Sequence, residues 1–131
     1  MIYPYLRKED ILPILDRIKD LRPKDYDKVK SKISDLNYIN DQFVCVSRDK
    51  GIIDGFMFAT IESFDMQLCI FIQYCFADKN GIAQQMLDNV TEWSKERDIY
   101  NLIFLSERNS KSWERKYKFK EIYKVLKRSI R

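Results

Sequence analysis

The stretch Gln67–Phe76, QLCIFIQYCF, is apolar on nearly every residue, the pattern of a strand covered on both faces rather than one. From Gly81 the period changes. Ile82, Ala83, Met86, Leu87, Val90 and Trp93 recur at helical spacing as far as about Arg97, and a second buried-strand pattern, NLIFLS, follows at Asn101–Ser106. A strand, a helix and a strand in succession predict a β-α-β crossover, which demands a sheet with helices packed on it.

The elements before it extend this plan. Ile2–Leu6 reads as a short strand. Asp10 is placed to cap a helix carrying Ile11, Ile14, Leu15 and Ile18, with Pro13 tolerated in the first turn. Pro23 opens a second helix with Tyr26, Val29, Ile33 and Leu36 on one face. Gln42–Arg48 is rich in β-formers, Asp49-Lys50-Gly51 supplies a turn, and Ile52–Ile61 returns as the partner strand. Ser63-Phe64-Asp65 connects it to Gln67–Phe76. Beyond Ser106, Asn109–Lys118 reads as a short helix with Trp113 and Tyr117 one turn apart, and Phe119–Ser129 as a closing strand. The predicted order is β-α-α-β-β-β-α-β-α-β: an α/β fold with a mixed, largely antiparallel sheet and helices on both faces.

A chain of 131 residues with 45% hydrophobic content accommodates one domain, 1–131, that needs neither disulfides nor a structural metal to close its core. No apolar run is long enough for a membrane span, and MIYPYLRKED has none of the features of a secretory signal, so a cytoplasmic location without membrane contact is expected. Cys45, Cys69 and Cys75 lie inside apolar runs at spacings that match no zinc pattern; they are expected as buried free thiols. The chain contains no histidine, which removes Ser-His and Cys-His hydrolases and any imidazole base. Charge is uneven: residues 108–131 hold ten Lys/Arg against Glu114 and Glu121, whereas the preceding part is mildly acidic. A basic end of this kind suits an anionic partner, whether cofactor phosphates, nucleic acid or an acidic protein face.

Several segments resemble the GNAT superfamily of N-acetyltransferases. IYPYLRKEDILPIL is similar to its first strand and helix, FVCVSRDKGIIDGFMFATIE to its second and third strands around their tight turn, and TEWSKERDIYNLIFL to its third helix running into strand five. KYKFKEIY stands where members carry a Tyr, Gly, Phe sequence before the last strand. The resemblance spans nearly the whole chain. It implies acetyl-CoA as cofactor, bound through a Q/R-x-x-G-x-G/A loop whose backbone N–H groups meet the pyrophosphate at a helix N-terminus.

The matching run here is Asp78-Lys79-Asn80-Gly81-Ile82-Ala83. Gly81 and Ala83 agree with the pattern, the loop is about three residues shorter, and Asp78 stands where Gln or Arg is usual. A carboxylate facing a pyrophosphate costs about 1 kcal/mol when partly solvated, and Lys79 is placed to offset it. The cofactor-binding set that the resemblance implies is Cys75, Phe76, Lys79, Asn80, Gly81, Ile82, Ala83 and Asn109. The family tyrosine that protonates the departing thiolate maps onto Glu114, with Lys118 where glycine is usual and Tyr117 one turn away as a substitute; a phenol suits that role because it donates and then accepts at neutral pH. Strand four carries no acid, so Glu62 and Asp65, read as loop residues just ahead of it, are the nearest candidate bases.

Two functions follow. One is an acyl-CoA-dependent N-acyltransferase that acetylates an amine on a small molecule or protein, with Tyr117, Glu114 and Glu62 as its catalytic candidates. The other is a GNAT-fold binding module without catalysis, whose basic segment 108–131 contacts nucleic acid or an acidic protein, Trp113 or Tyr117 stacking on bases. A homodimer is compatible with either.

Overall fold

The computed structural model describes residues 1–33, 42–79, 81–104 and 128–129. Its elements are β1 (Ile2–Tyr3), α1 (Ile11–Leu21), α2 (Tyr26–Ile33), β2 (Gln42–Asp49), β3 (Ile52–Phe64), β4 (Gln67–Ala77), α3 (Ile82–Lys95) and β5 (Leu102–Phe104). One-turn 3₁₀ segments, Lys8–Asp10 and Pro23–Asp25, lead into α1 and α2. The strands form one sheet in the order β1-β2-β3-β4-β5, antiparallel except for the last pair. The expected helix at Asn109–Lys118 lies outside the described residues, as does the closing strand except for Arg128 and Ser129, which are irregular.

Three local expectations are corrected. The first strand stops at Tyr3 instead of reaching Leu6, because Pro4 has no N–H to give a ladder. Asp10 does not cap α1. Its carboxylate turns back to accept the Arg7 amide at 3.0 Å and pairs with the guanidinium of Arg48, which is how a carboxylate 2% exposed keeps its charge compensated. Finally, Ser63 and Phe64 belong to β3, and the connection is Asp65-Met66, both at positive φ (54° and 66°). The preceding hairpin turns through Lys50 and Gly51 at φ 52° and 80°, matching the right-handed twist of the strands.

Each face of the sheet carries its own core. Ile14, Leu15 and Ile18 of α1 with Val29 and Ile33 of α2 pack on Val46, Phe56, Phe58 and Phe76. On the other face Met86, Leu87 and Val90 of α3 pack on Cys45, Met57, Ala59, Ile70 and Ile72. β4 thus has helices over both faces, which accounts for its unbroken apolar run. The three cysteines are buried and free; burial pushes the Cys75 thiol up to about 12 and the Cys45 thiol higher still, so neither serves as a thiolate nucleophile. Among the described residues no helix is long and apolar enough to cross a membrane.

Candidate active site

β4 is the strand about which the site is organised. Its register with β3 slips once: Tyr74 faces Phe58 but Ile72 faces Ala59, leaving Gln73 as an extra residue, a β-bulge. Beyond the bulge the Asp78 amide bonds the Asp54 carbonyl at 2.8 Å. Alternation along an antiparallel ladder then turns the N–H and C=O groups of Cys75 and Ala77 away from β3, towards the β5 side. β5 itself pairs with Ile70, Phe71 and Ile72; among the described residues this pairing ends at the bulge. From Gln73 to Ala77, beside the start of α3, no strand pairs with this side of β4 among the described residues.

The head of α3 is set by two glycines. Gly81 is its N-cap at φ 88°, with no side chain to satisfy the first amides. The Ile82 amide makes a long bond to the Lys79 carbonyl at 3.4 Å and the Gln85 amide bonds Gly81 at 3.1 Å, whereas the amides of Ala83 and Gln84 have no acceptor among the described residues. Gly55 in β3 lets the helix approach: a Cβ there would lie 2.6 Å from Cγ2 of Ile82 and 3.3 Å from the Met86 methyl. Gly55 is not among the sequence-derived site residues, although a lone glycine inside a strand pattern is itself a signal of close approach.

The charges of the loop are compensated by other elements. Asp78 pairs with Arg17 of α1, whose Nε also donates to the Ile53 carbonyl at 3.3 Å. Lys79, expected from sequence to offset Asp78, forms its ion pairs with other carboxylates. Its ammonium bonds Asp49 at 2.6 Å and lies 3.8 Å from Asp54. The hydrogen bond with Asp49 holds the lysine above and the aspartate below their ordinary ranges. Three carboxylates and two cations surround the head of α3.

Around the bulge a second group converges from the opposite face. Arg22, just past α1, donates to the Cys75 carbonyl at 3.2 Å and lies over the Phe76 ring at 5.4 Å. The Tyr74 hydroxyl donates to Asp25, in the turn between α1 and α2, at 3.1 Å. Partial burial, then the charge of Asp25, push the phenol up to about 12, with Arg22 opposing. Arg17, Arg22, Asp25 and Tyr74 are not among the sequence-derived site residues; each is unremarkable locally, and contacts between residues 49 to 61 positions apart bring them together.

Of the residues singled out from sequence, Cys75, Phe76, Lys79, Gly81, Ile82 and Ala83 lie together at the end of β4 and the head of α3. The Cys75 and Phe76 side chains are buried in opposite cores, leaving only their backbone to the edge. Glu62 is not a loop residue: it lies on exposed β3 opposite Cys69, roughly 13 Å along the sheet from the bulge, and accepts from Thr60 at 3.1 Å. Asn80, Asn109, Glu114 and Tyr117 lie outside the described residues.

No protein-family model matches the sequence, and no curated protein does. Solved structures match over the whole chain. An aminoglycoside antibiotic 6′-N-acetyltransferase of Acinetobacter haemolyticus superimposes with a TM-score of 0.82 at 13% identity, covering 100% of this chain and 98% of the other. An aminoglycoside 6′-N-acetyltransferase in complex with a CoA–acetylneamine bisubstrate analogue gives 0.79 at 18% identity, over 100% and 97%. A predicted acetyltransferase of Clostridium acetobutylicum with acetyl-CoA gives 0.73 at 16%, over 98% and 96%. At such low identity the likeness speaks for architecture: this chain has the GNAT acetyltransferase fold.

Proposed function

We propose that this chain is an acyl-CoA-dependent N-acyltransferase that uses acetyl-CoA to acetylate a primary amine. The observation that carries the reading is the continuity between β4 from Gln73 to Ala77, unpaired on its β5 side among the described residues, and the amides of Ala83 and Gln84 at the head of α3, which have no acceptor among the described residues. An extended pantetheine arm would add to the strand edge, and the pyrophosphate would meet the amides and the positive end of the helix. Structures of the same fold contain CoA or acetyl-CoA, which supports acetyl-CoA as the donor. Asp78 weighs less against it than its charge suggests, because Arg17 already compensates the carboxylate.

Catalysis in such a site rests on positioning. Backbone N–H groups at the bulge would polarise the thioester carbonyl while the amine approaches from the α1–α2 side, so that binding supplies orientation that solution lacks. Calorimetric titration with acetyl-CoA at moderate salt tests the reading. Micromolar binding in the parent protein, weakened at least 10-fold by Gly81→Glu, is the expected result: the substitution forces a carboxylate-bearing side chain into positive φ beside the amides. No heat and no thermal shift at millimolar acetyl-CoA would overturn it.

A further inference from the structure

β4 carries no carboxylate to take the proton from the amine. The geometry points to Tyr74 and Asp25 as an amine-receiving subsite at the β4 bulge, in which the phenol contacts the acceptor nitrogen and passes its own proton to the Asp25 carboxylate. This rests on the acyltransferase reading and deepens it by naming the acceptor class: an amine that arrives as a cation.

Among the described residues two hydrogen-bonded chains run from the bulge to a carboxylate. On the exposed face, Gln73 Nε2 donates to Thr60 Oγ1 at 2.9 Å, and Thr60 donates to Glu62 at 3.1 Å. Its first link is a carboxamide nitrogen, a donor that neither accepts a proton nor hands one on, so the chain positions Gln73 without conducting. The other chain begins at a phenol, which accepts through oxygen lone pairs while donating its hydrogen. Tyr74 directly follows Gln73, its ring is held against Phe56 at 6.4 Å between centroids, and its hydroxyl is 3.1 Å from Asp25. Among the described residues the charged groups facing the phenol are Asp25 and Arg22, and Arg22 also hydrogen-bonds the phenol oxygen. Arg22 donates to the Cys75 carbonyl as well, which holds the α1–α2 turn, and Asp25 with it, over the strand.

The acceptor arrives as R–NH3⁺; one proton passes to the Tyr74 oxygen as the phenol proton moves to Asp25. The nitrogen lone pair then attacks the thioester carbonyl carbon, the C–N bond forms, the C–S bond breaks, and CoA leaves with the electron pair as thiolate. The second proton shed in forming the amide goes to that thiolate, and Asp25 returns its proton to water.

The test uses the full chain with acetyl-CoA as donor and neamine as the acceptor probe, following acetyl transfer, acetyl-CoA affinity and melting temperature together. Asp25→Asn is expected to lower kcat about 100-fold, the scale of positioned proton transfer, with acetyl-CoA affinity within twofold of the parent. Asp25→Glu is expected to recover at least 10-fold of that loss, which a merely structural role for the carboxylate would not predict. Should Asp25→Asn fail to fold, Tyr74→Phe keeps the ring packing and is expected to show the same kcat loss. Retention of kcat within threefold in Tyr74→Phe, or a loss in Glu62→Gln as large as that in Asp25→Asn, overturns the assignment. A parent protein that binds acetyl-CoA but transfers nothing to neamine overturns the amine subsite alone, whereas one that binds no acetyl-CoA overturns the cofactor reading beneath it.

Discussion

The two ends of the β4 edge are assembled in opposite ways. The head of α3 is nearly all local: the charged pair Asp78-Lys79, the positive-φ cap Gly81 and the first amides of the helix lie within a few consecutive positions, and only the seat on Gly55 and the counter-ions come from elsewhere. The bulge end is non-local. Tyr74 meets Asp25 across 49 positions of sequence and Cys75 meets Arg22 across 53, so its geometry depends on how α1 and the turn after it dock on the sheet. A local site tolerates change elsewhere provided its own backbone closes, whereas a non-local site inherits every error in packing. Disturbing α1 should therefore separate transfer from cofactor binding, and disturbing the seat of α3 should do the reverse.

The largest effect is expected from Ile18→Ala. Ile18 is fully buried between α1 and the sheet, and truncating such a side chain costs about 2–5 kcal/mol, measurable by urea unfolding. If the non-local end depends on α1, the fraction still folded should lose acetyl transfer several-fold more than acetyl-CoA affinity. Equal losses would show that both ends respond to the same core.

Gly55→Ala presses from the other side. Its Cβ would meet Ile82 at 2.6 Å and Ser47 Cβ at 3.2 Å, and overpacking of this kind costs about 1–3 kcal/mol. Since the displaced element is the first turn of α3, acetyl-CoA affinity should fall while the Tyr74–Asp25 contact is kept. Unchanged affinity would mean that Ile82 rotates aside and the helix does not move.

The same asymmetry decided what could be read from sequence. Helical and strand periods in Gln67–Arg97 carried the crossover, and the Gly81–Ala83 spacing carried the head of α3, because both are written in contiguous residues. Pro4 misled for a local reason, a missing N–H that shortened β1, whereas Asp10 misled for a distant one, since Arg48 pairs with its carboxylate away from the helix it precedes. Glu62 was chosen for proximity in sequence to β4, whereas β3 runs on to Phe64 and leaves it towards the far end of the hairpin. Asp25 had no local mark at all. It follows Pro23 and Lys24 in what reads as a helix start, and only the fold sets it beside Tyr74.

Asp78→Asn sharpens the comparison within the local end. Both partners of the Asp78–Arg17 pair are about 30% exposed (30% and 28%), so the pair itself adds on the order of 1 kcal/mol or less to stability. Removing the carboxylate takes from Arg17 its ion-pair partner at the loop that precedes α3. Acetyl-CoA affinity should rise about fivefold, corresponding to about 1 kcal/mol, with a steeper salt dependence and no change in transfer beyond that due to binding. A fall in affinity would mean that Asp78 holds the loop in its binding geometry.

The smallest effect concerns the β3–β4 hairpin, remote from both ends. Asp65 and Met66 both adopt positive φ, and Met66 is 97% exposed, so its side chain gains nothing from packing to offset a conformation that L-residues with a bulky side chain disfavour. Replacing the pair by Asn-Gly suits both positions and should stabilise the chain by about 0.5–1 kcal/mol. Because the turn lies at the opposite end of β4 from Ala77, acetyl-CoA affinity should stay within twofold, and urea unfolding beside a binding titration checks both halves. Stabilisation with altered affinity would mean that strain at the hairpin reaches the bulge through the β4 backbone, and that the two ends of the strand are coupled after all.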